Sequence, residues 1–500
     1  MPPEVEKSPA AAPATETQPP AQSLLDQIVE TGIRPRDAEQ REYARDLIGV
    51  FVQEVLSQET VVAADTEKMI NQRIAQLDAL LSQQLNEIMH AAEFQKLEAS
   101  WRGLHYLVHQ SETSEMLKIR VLNATKNELL KDMERAPEFD QSTLFKKIYE
   151  EEFGTFGGFS YGVLIGDYEF GREPQDVALL EKISNVAAAA HAPFVAAASP
   201  ALFNLDSFTD LSAPRDLAKI FDNRQETKYV KWRSFRESED SRYVALALPH
   251  ILMREPYGRN TVPVESFSFE EAVDGKDHRK YLWGNAAFAL GARITDAFAQ
   301  HGWCAAIRGV EGGGRVEALP VHSFRTGEGE VALKCPTEIA ITDRREKELA
   351  DLGFIPLIHC KGTDYAAFFS TQSANRPKKY DTDAANANAR LSAQLQYILA
   401  VSRFAHYLKA MMRDKVGSFA TRQNCEDFLN RWITKYVLLD DNASQESKAK
   451  KPLREARIEV VDDPGKPGVY KAVAFLKPHF QLEELTVSLR LVAELPQSKG

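Results

Sequence analysis

The chain is poor in cysteine: four in 500 residues, Cys304, Cys335, Cys360 and Cys425, with no CxxC pair. That excludes a disulfide scaffold and a zinc site of the usual spacing, and it fits a reducing compartment. Long hydrophobic runs are also missing. The most apolar stretch, Val186 to Phe203, is interrupted by His191, Pro193 and Pro200, so it reads as a helix end and a buried strand, not a membrane span. No basic segment followed by an apolar core opens the chain, so no secretory signal is expected. Nor is positive charge in surplus: 61 Lys+Arg against 72 Asp+Glu leave −11. An acidic balance argues against a dedicated binder of nucleic acid or of an anionic membrane.

Catalytic constellations are scarce as well. Gly309-Val310-Glu311-Gly312-Gly313-Gly314 follows an expected strand, which is where a phosphate loop would sit. A P-loop then needs Lys and Ser or Thr at the start of a helix; here Arg315 and Val316 follow, and the spacing does not fit GxGxxG. The loop is read as a tight turn, with an α/β nucleotide-binding enzyme as the alternative. His359 and Cys360 are adjacent on an expected strand and point to opposite faces, unlike a Cys/His pair. His105 and His109 share a helix face without a third ligand. Asp167 and Glu169 occupy the crevice position of an open sheet and are taken as turn residues. No catalytic, cofactor-binding or metal-binding residue is expected.

What is there is a large core. Hydrophobic residues make up 44% of the chain, enough for two or three domains. Residues 1–22, rich in Pro, Ala and Glu, are expected to be a disordered tail. Residues 23–112 read as helical. Ile70, Ile74, Leu77, Leu81, Leu85 and Ile88 recur at steps of three or four, an apolar stripe on a helix of about six turns. Leu97, Trp101 and Leu104 continue the pattern on a following helix. Such a stripe packs either on its own core or on a partner chain, and its length beside a polar tail favours a partner.

From 113 to 380, short apolar runs alternate with helical patterns, predicting a sheet covered by helices on both faces. The expected strands are Leu117–Leu122, Tyr161–Ile165, Pro193–Ala198, Tyr243–Leu248, Trp303–Ile307, Glu338–Thr342 and Phe354–His359. Asp176–Ala190 and Tyr281–Gln300 are expected helices. Long helices follow over 381–440, the first running unbroken from Ala385 to Lys415. Residues 441–500 read as β structure, Arg454–Val461 turning into Val469–Leu476 and then Leu485–Leu495. In the last, Leu485, Val487, Leu489 and Leu491 alternate with Thr486, Ser488 and Arg490. A strand near a chain terminus either closes its own sheet or adds to another chain's. Lys228, Lys231, Arg233 and Arg236 interleave with Tyr229, Trp232 and Phe235, an amphipathic helix with aromatics inward and cations outward.

Several longer segments carry a resemblance. They are FQKLEASWRGLHYLV from Phe94, FGGFSYGVLIGDYEF from Phe156, HAPFVAAASPALF from His191, YVALALPHILMREPYG from Tyr243, YLWGNAAFALGARI from Tyr281 and WCAAIRGVEGGGRVEALP from Trp303. PTEIAITDRREKELADLGFIPLIH from Pro336, QSANRPKKYDTDAANANARL from Gln372 and VYKAVAFLKPHFQLEELTVSLRLVAELP from Val469 complete the set. Together they resemble the large subunit of the type VI secretion contractile sheath, the TssC or VipB family. The resemblance implies a mixed α/β, phage-tail-sheath-like core with N-terminal partner-binding helices and C-terminal β strands. It implies pairing with a small sheath subunit of the TssB or VipA type, for which Ile70, Ile74, Leu77, Leu81 and Leu85 are the candidate interface. It implies a cytoplasmic helical polymer of such pairs around an Hcp inner tube on a baseplate, contraction, and disassembly by a ClpV-type AAA+ ATPase acting mainly through the small subunit. Strands are exchanged between neighbouring protomers in this family, and Leu485, Val487, Leu489 and Leu491 are the candidates here. Lys228, Lys231, Arg236, Arg344, Arg345 and Glu346, taken as exposed charges, are candidates to face the tube.

Overall fold

A computed structural model of the chain describes residues 26, 28–57, 66–213, 216–222, 227–325, 329–363, 365–418, 421–462 and 469–481. Two compact units divide the chain, residues 1–79 and 80–500. Helix α1 (Ala38–Ser57) belongs to the first, and the boundary falls inside helix α2 (Thr66–Met89). The periodic stripe thus forms the helix it predicts.

In the larger unit, helix α3 (Ala92–His109) buries Ala99, Gly103 and Leu107 against Phe288 and Ala292. Gly103 permits this approach: a Cβ there would lie 2.3 Å from the Phe288 ring. Helix α4 (Lys126–Arg135) starts with a capping box between Thr125 and Glu128.

The centre is a six-stranded sheet. Its strands are β1 (Leu164–Phe170), β2 (Phe194–Ala198), β3 (Val244–Leu248), β4 (Arg315–Val316), β5 (Ile355–His359) and β6 (Ala366–Phe368), in the order β1-β2-β3-β5-β6-β4. The first four in that order are parallel and the last two pairings antiparallel. Successive side chains go to different cores: Phe194, Ala196 and Ala198 to one, Val195 to the other. Helix α5 (Pro174–Ala190) fills the first core and helix α6 (Ala287–His301) the second, which is why β2 and β3 are apolar throughout. Proline at the first position of α5 and left-handed Gly302 after α6 set these two helix ends.

Helices α7 (Asp383–Leu391) and α8 (Leu395–Asp414) replace the single helix expected over 385–415. The break has a cause in the ladder beside it. Ser373 donates to the Ala393 carbonyl at 2.8 Å and Leu395 to that of Thr371 at 2.8 Å, which draws 393–395 out of the helix. Helix α9 (Arg422–Ile433) then packs on an antiparallel hairpin, β7 (Leu453–Asp462) and β8 (Tyr470–Pro478).

Three expected strands are absent. Leu117–Leu122 joins no ladder and is held by side chains: Lys118 lies 3.9 Å from the centre of the Phe159 ring, and Arg120 pairs with Glu152. Trp303–Ile307 is irregular because Trp303 leaves α6 to stack on Phe404, ring centres 4.2 Å apart. In Glu338–Thr342, Glu338 is drawn into a buried ion cluster and makes one backbone bond, to the His250 carbonyl at 2.8 Å.

Candidate assembly surfaces

The stripe on α2 faces solvent. Ile70 is 40% exposed, Ile74 51%, Leu77 42% and Leu81 52%; Leu85 is half-buried. Leu80 and Ile88 widen the stripe, at 61% and 55%. On α3, Leu97 and Trp101 stand at 57% and 66%. Single exposed apolar side chains are ordinary, but a row of them along one helix marks a surface built to be covered.

Below this row, α3 is fixed to the body by ions. Arg254 makes a two-pronged bond to Glu271, 2.6 and 3.0 Å, and a third to Glu98 of α3 at 2.8 Å. Arg102 of α3 reaches Glu98 at 2.7 Å and the Tyr257 hydroxyl at 2.9 Å. His90 lies 3.1 Å from Glu271, and Asn86 accepts from the backbone of Ala272 at 2.8 Å. These bonds hold α3 and the end of α2 in one orientation on the segment 254–281.

A second cluster lies at the C-terminal ends of β1 and β3. His250 Nε2 is 2.9 Å from Glu169, and its Nδ1 bonds Glu338. Glu338 also meets His278 at 3.1 Å and accepts from Ser207 at 2.7 Å. Asp167 and Glu169 are thus residues of β1, not of a turn. Burial disfavours the imidazolium of His250, but the two carboxylates outweigh it and raise its pKa to about 10. Burial likewise works against the Glu338 carboxylate, and the His250 and His278 bonds hold it far below the usual range. Groups displaced so far from neutrality are an ion lock, not a poised general acid or base.

The glycine loop cradles its own backbone. Gly309 donates to the Phe368 carbonyl at 2.7 Å, Gly314 to that of Gly309 at 2.8 Å, and Phe368 to that of Gly314 at 2.9 Å. The loop leads into β4, not a helix, so the N-terminal amides a phosphate needs are missing. Gly313, at φ +88°, sits where a Cβ would meet the Ala306 carbonyl at 2.2 Å. The glycines therefore serve a tight edge turn. His359 bonds the Thr363 carbonyl at 3.0 Å, and the rings of His105 and His109 touch, with centres 4.0 Å apart. Among the described residues no cluster of three potential ligands could hold a metal ion, and no helix is long and apolar enough to cross a membrane.

Of the six charges expected to be exposed, Lys228, Lys231 and Arg344 are. Arg236 is not. It lies four residues after Trp232 on the helix Val230–Glu237, hence on the aromatic face, and it donates to the Ala374 carbonyl at 2.9 Å from a buried position. Arg345 and Glu346 are half-buried, Arg345 paired with Glu348 at 2.6 Å. Leu485, Val487, Leu489 and Leu491 fall outside the described residues.

Comparison with known proteins bears on the whole chain. Residues 71–375 match a family model described as the EvpB/VC_A0108 tail sheath N-terminal domain, and residues 384–495 match its tail sheath gpW/gp25-like domain. A relative from Pseudomonas aeruginosa, described as the type VI secretion system sheath protein TssC1, is 50% identical over 469 residues, which are 93% of this chain and 94% of the relative. Among solved structures, the baseplate of the anti-feeding prophage superposes at a TM-score of 0.35 with 8% identity, covering 63% of this chain and 66% of that one. The contracted sheath of the same particle gives 0.29 with 10% identity and the same coverages. Superpositions this remote carry no further weight.

Proposed function

The chain belongs to the type VI secretion tail sheath family, and from that premise we propose that it is the large subunit of a contractile sheath, paired with a small subunit through the exposed stripe of α2. The row Ile70, Ile74, Leu77 and Leu81 carries this reading, because each side chain is exposed by 40% or more on one helix. Burial of such a row stabilises an interface by roughly 25 cal/mol per Å² of apolar surface covered. The ion network at Arg254 suits the same role, since it joins α3 and the end of α2 to the body that must move.

Paired subunits polymerise in the cytoplasm around an inner tube of Hcp type, on a baseplate. The polymer shortens because its subunits pack more stably in the contracted arrangement than in the extended one. A ClpV-type ATPase, acting mainly through the small subunit, takes the contracted sheath apart. The energy resides in packing between subunits, so the chain itself needs no catalytic group. Lys228, Lys231 and Arg344 remain candidates to face the tube. Reversing all three charges is expected to impair assembly around the tube and to leave the heterodimer intact; normal secretion by that variant would reject the assignment.

The stripe itself is tested by co-expression with the small subunit. Leu77→Asp with Leu81→Asp is expected to abolish co-purification while the helical and sheet content measured by circular dichroism is retained. A folded double variant that co-purifies normally excludes the stripe as the interface.

A further inference from the structure

Residues 118–122, Lys-Ile-Arg-Val-Leu, have the make-up of a strand and no strand beside them. They link α3 to α4 across the β1 edge of the central sheet. On one face of the sheet, Ile119 packs with Leu107 of α3 and Phe288 of α6. On the other, Ala124 packs on the first core, and its carbonyl accepts from the Tyr168 hydroxyl at 2.5 Å. Lys126 then donates to the Glu169 carbonyl of β1 at 2.7 Å. Between these anchors the backbone is unpaired: among the described residues no hydrogen bond reaches an N–H or a carbonyl of residues 118–123. A run of strand-forming residues with free donors and acceptors is a template for another chain.

The side chains around this backbone are uncovered too. Met116, Val121 and Leu122 are each more than half exposed. The segment 156–161 runs alongside, Lys118 lying on the Phe159 ring and Arg120 on that of Tyr161, and it adds Phe156 and Phe159, also more than half exposed. Scattered apolar residues are ordinary on a surface, but five large ones gathered at one unpaired stretch mark a contact site. Cations border it. Lys118 and Arg413 lie on the Phe159 and Phe156 rings, and among the described residues neither forms an ion pair. The patch is continuous with α3, whose exposed Leu97, Trp101 and Val108 share one helix face and lead toward it.

We infer that residues 118–123 receive an extended segment of the small subunit, which pairs with this backbone, lays apolar side chains on the patch and brings carboxylates to Lys118 and Arg413. The identity of the partner rests on the sheath reading; the unpaired backbone and its apolar surround do not. Continuity with the exposed face of α3 favours the chain that covers the neighbouring helices. Pairing with the same segment of a second copy would bring Lys118 and Arg120 of both copies together, and like charges opposite one another are destabilising.

Amide hydrogen exchange on the full chain in its soluble complex with the small subunit tests this. A paired strand turns alternate residues toward its neighbour, so one set of amides, Ile119, Val121 and Asn123 or else Arg120 and Leu122, is expected to be protected. That set should exchange at least about tenfold more slowly than the same residues in an unstructured peptide. Val121→Asp with Leu122→Asp is expected to raise the Kd of the complex by about tenfold or more while the circular dichroism spectrum holds. If the complex forms and all five amides exchange at the peptide's rate, the strand pairing is overturned and pairing through the α2 row stands. An unchanged Kd in the folded double variant removes the patch from the interface. Protection that appears only when sheath assembles makes a second copy the occupant and overturns the assignment to the small subunit. If no complex forms at all, the sheath reading falls, and the occupant with it.

Discussion

At His250 a buried position and two carboxylates pull in opposite directions, and the carboxylates win. A folded-state pKa of about 10, above the ordinary 6.5, means that the cluster's contribution is full below pH 6.5 and is lost progressively as pH rises toward 10. Glu338 has the opposite sign: held low, it contributes above the ordinary carboxylate value of 4.5 and is lost as pH falls below it. Denaturant unfolding of the wild-type complex is therefore expected to show stability declining from pH 6.5 to 10, and His250→Ala is expected to flatten that decline. The same variant takes from buried Glu338 its His250 partner and leaves it His278 and Ser207, which costs about 3 kcal/mol. A pH profile identical in variant and wild type removes the lock. Arg254→Ala is a sharper case, because Glu271 then loses its two-pronged cation while Glu98 keeps only Arg102; a loss of about 3–5 kcal/mol in the same assay is expected, and a loss below about 1 kcal/mol would show that the network is ornamental. Neither cluster was legible in the sequence. Glu169, Ser207, His250, His278 and Glu338 come from five separate elements or loops, and only the crevice position of Glu169 hinted at them. Arg236 departs from its expected exposure for a related reason: a long cation on an aromatic face is buried once a carbonyl, here that of Ala374, lies within reach.

Helices were the most legible elements, since one face of a 3.6-residue repeat survives in any context. The α2 stripe, α3, α5 and α9 all form near their expected bounds. Strands were legible where both faces are buried, as in β2 and β3, and illegible where side-chain stacking or an ion cluster replaces the ladder, as at Trp303 and Glu338. The split of α7 from α8 depends on backbone bonds from 371–373, which no local pattern announces. The C-terminal segment is argued from alternation alone. Proline at Val487 or Leu489 removes one donor from a strand and disturbs its ladder. Such a variant is expected to form a soluble heterodimer yet fail to make stable sheath, as judged by sedimentation, while Ser488→Thr is silent. Loss of the heterodimer would place the strand in the chain's own core, and intact contractile sheath would make it dispensable.

On the scale of the whole molecule, the sheet buried on both faces and the ion-locked α3 suit a subunit that keeps its fold, and the exposed α2 row suits one that a partner covers. Composition supported that only by exclusion: few cysteines, no apolar span and an acidic balance leave many functions open. The long segments quoted from Phe94 to Val469 narrowed them, and the family match over most of the chain made membership plain. The central claim is that this chain works by assembling. Electron microscopy of the chain co-expressed with its small partner tests it most directly: tubular helical sheaths are expected, and they should vanish with Leu77→Asp and Leu81→Asp, whereas a well-folded complex that never forms a helical polymer would contradict the claim.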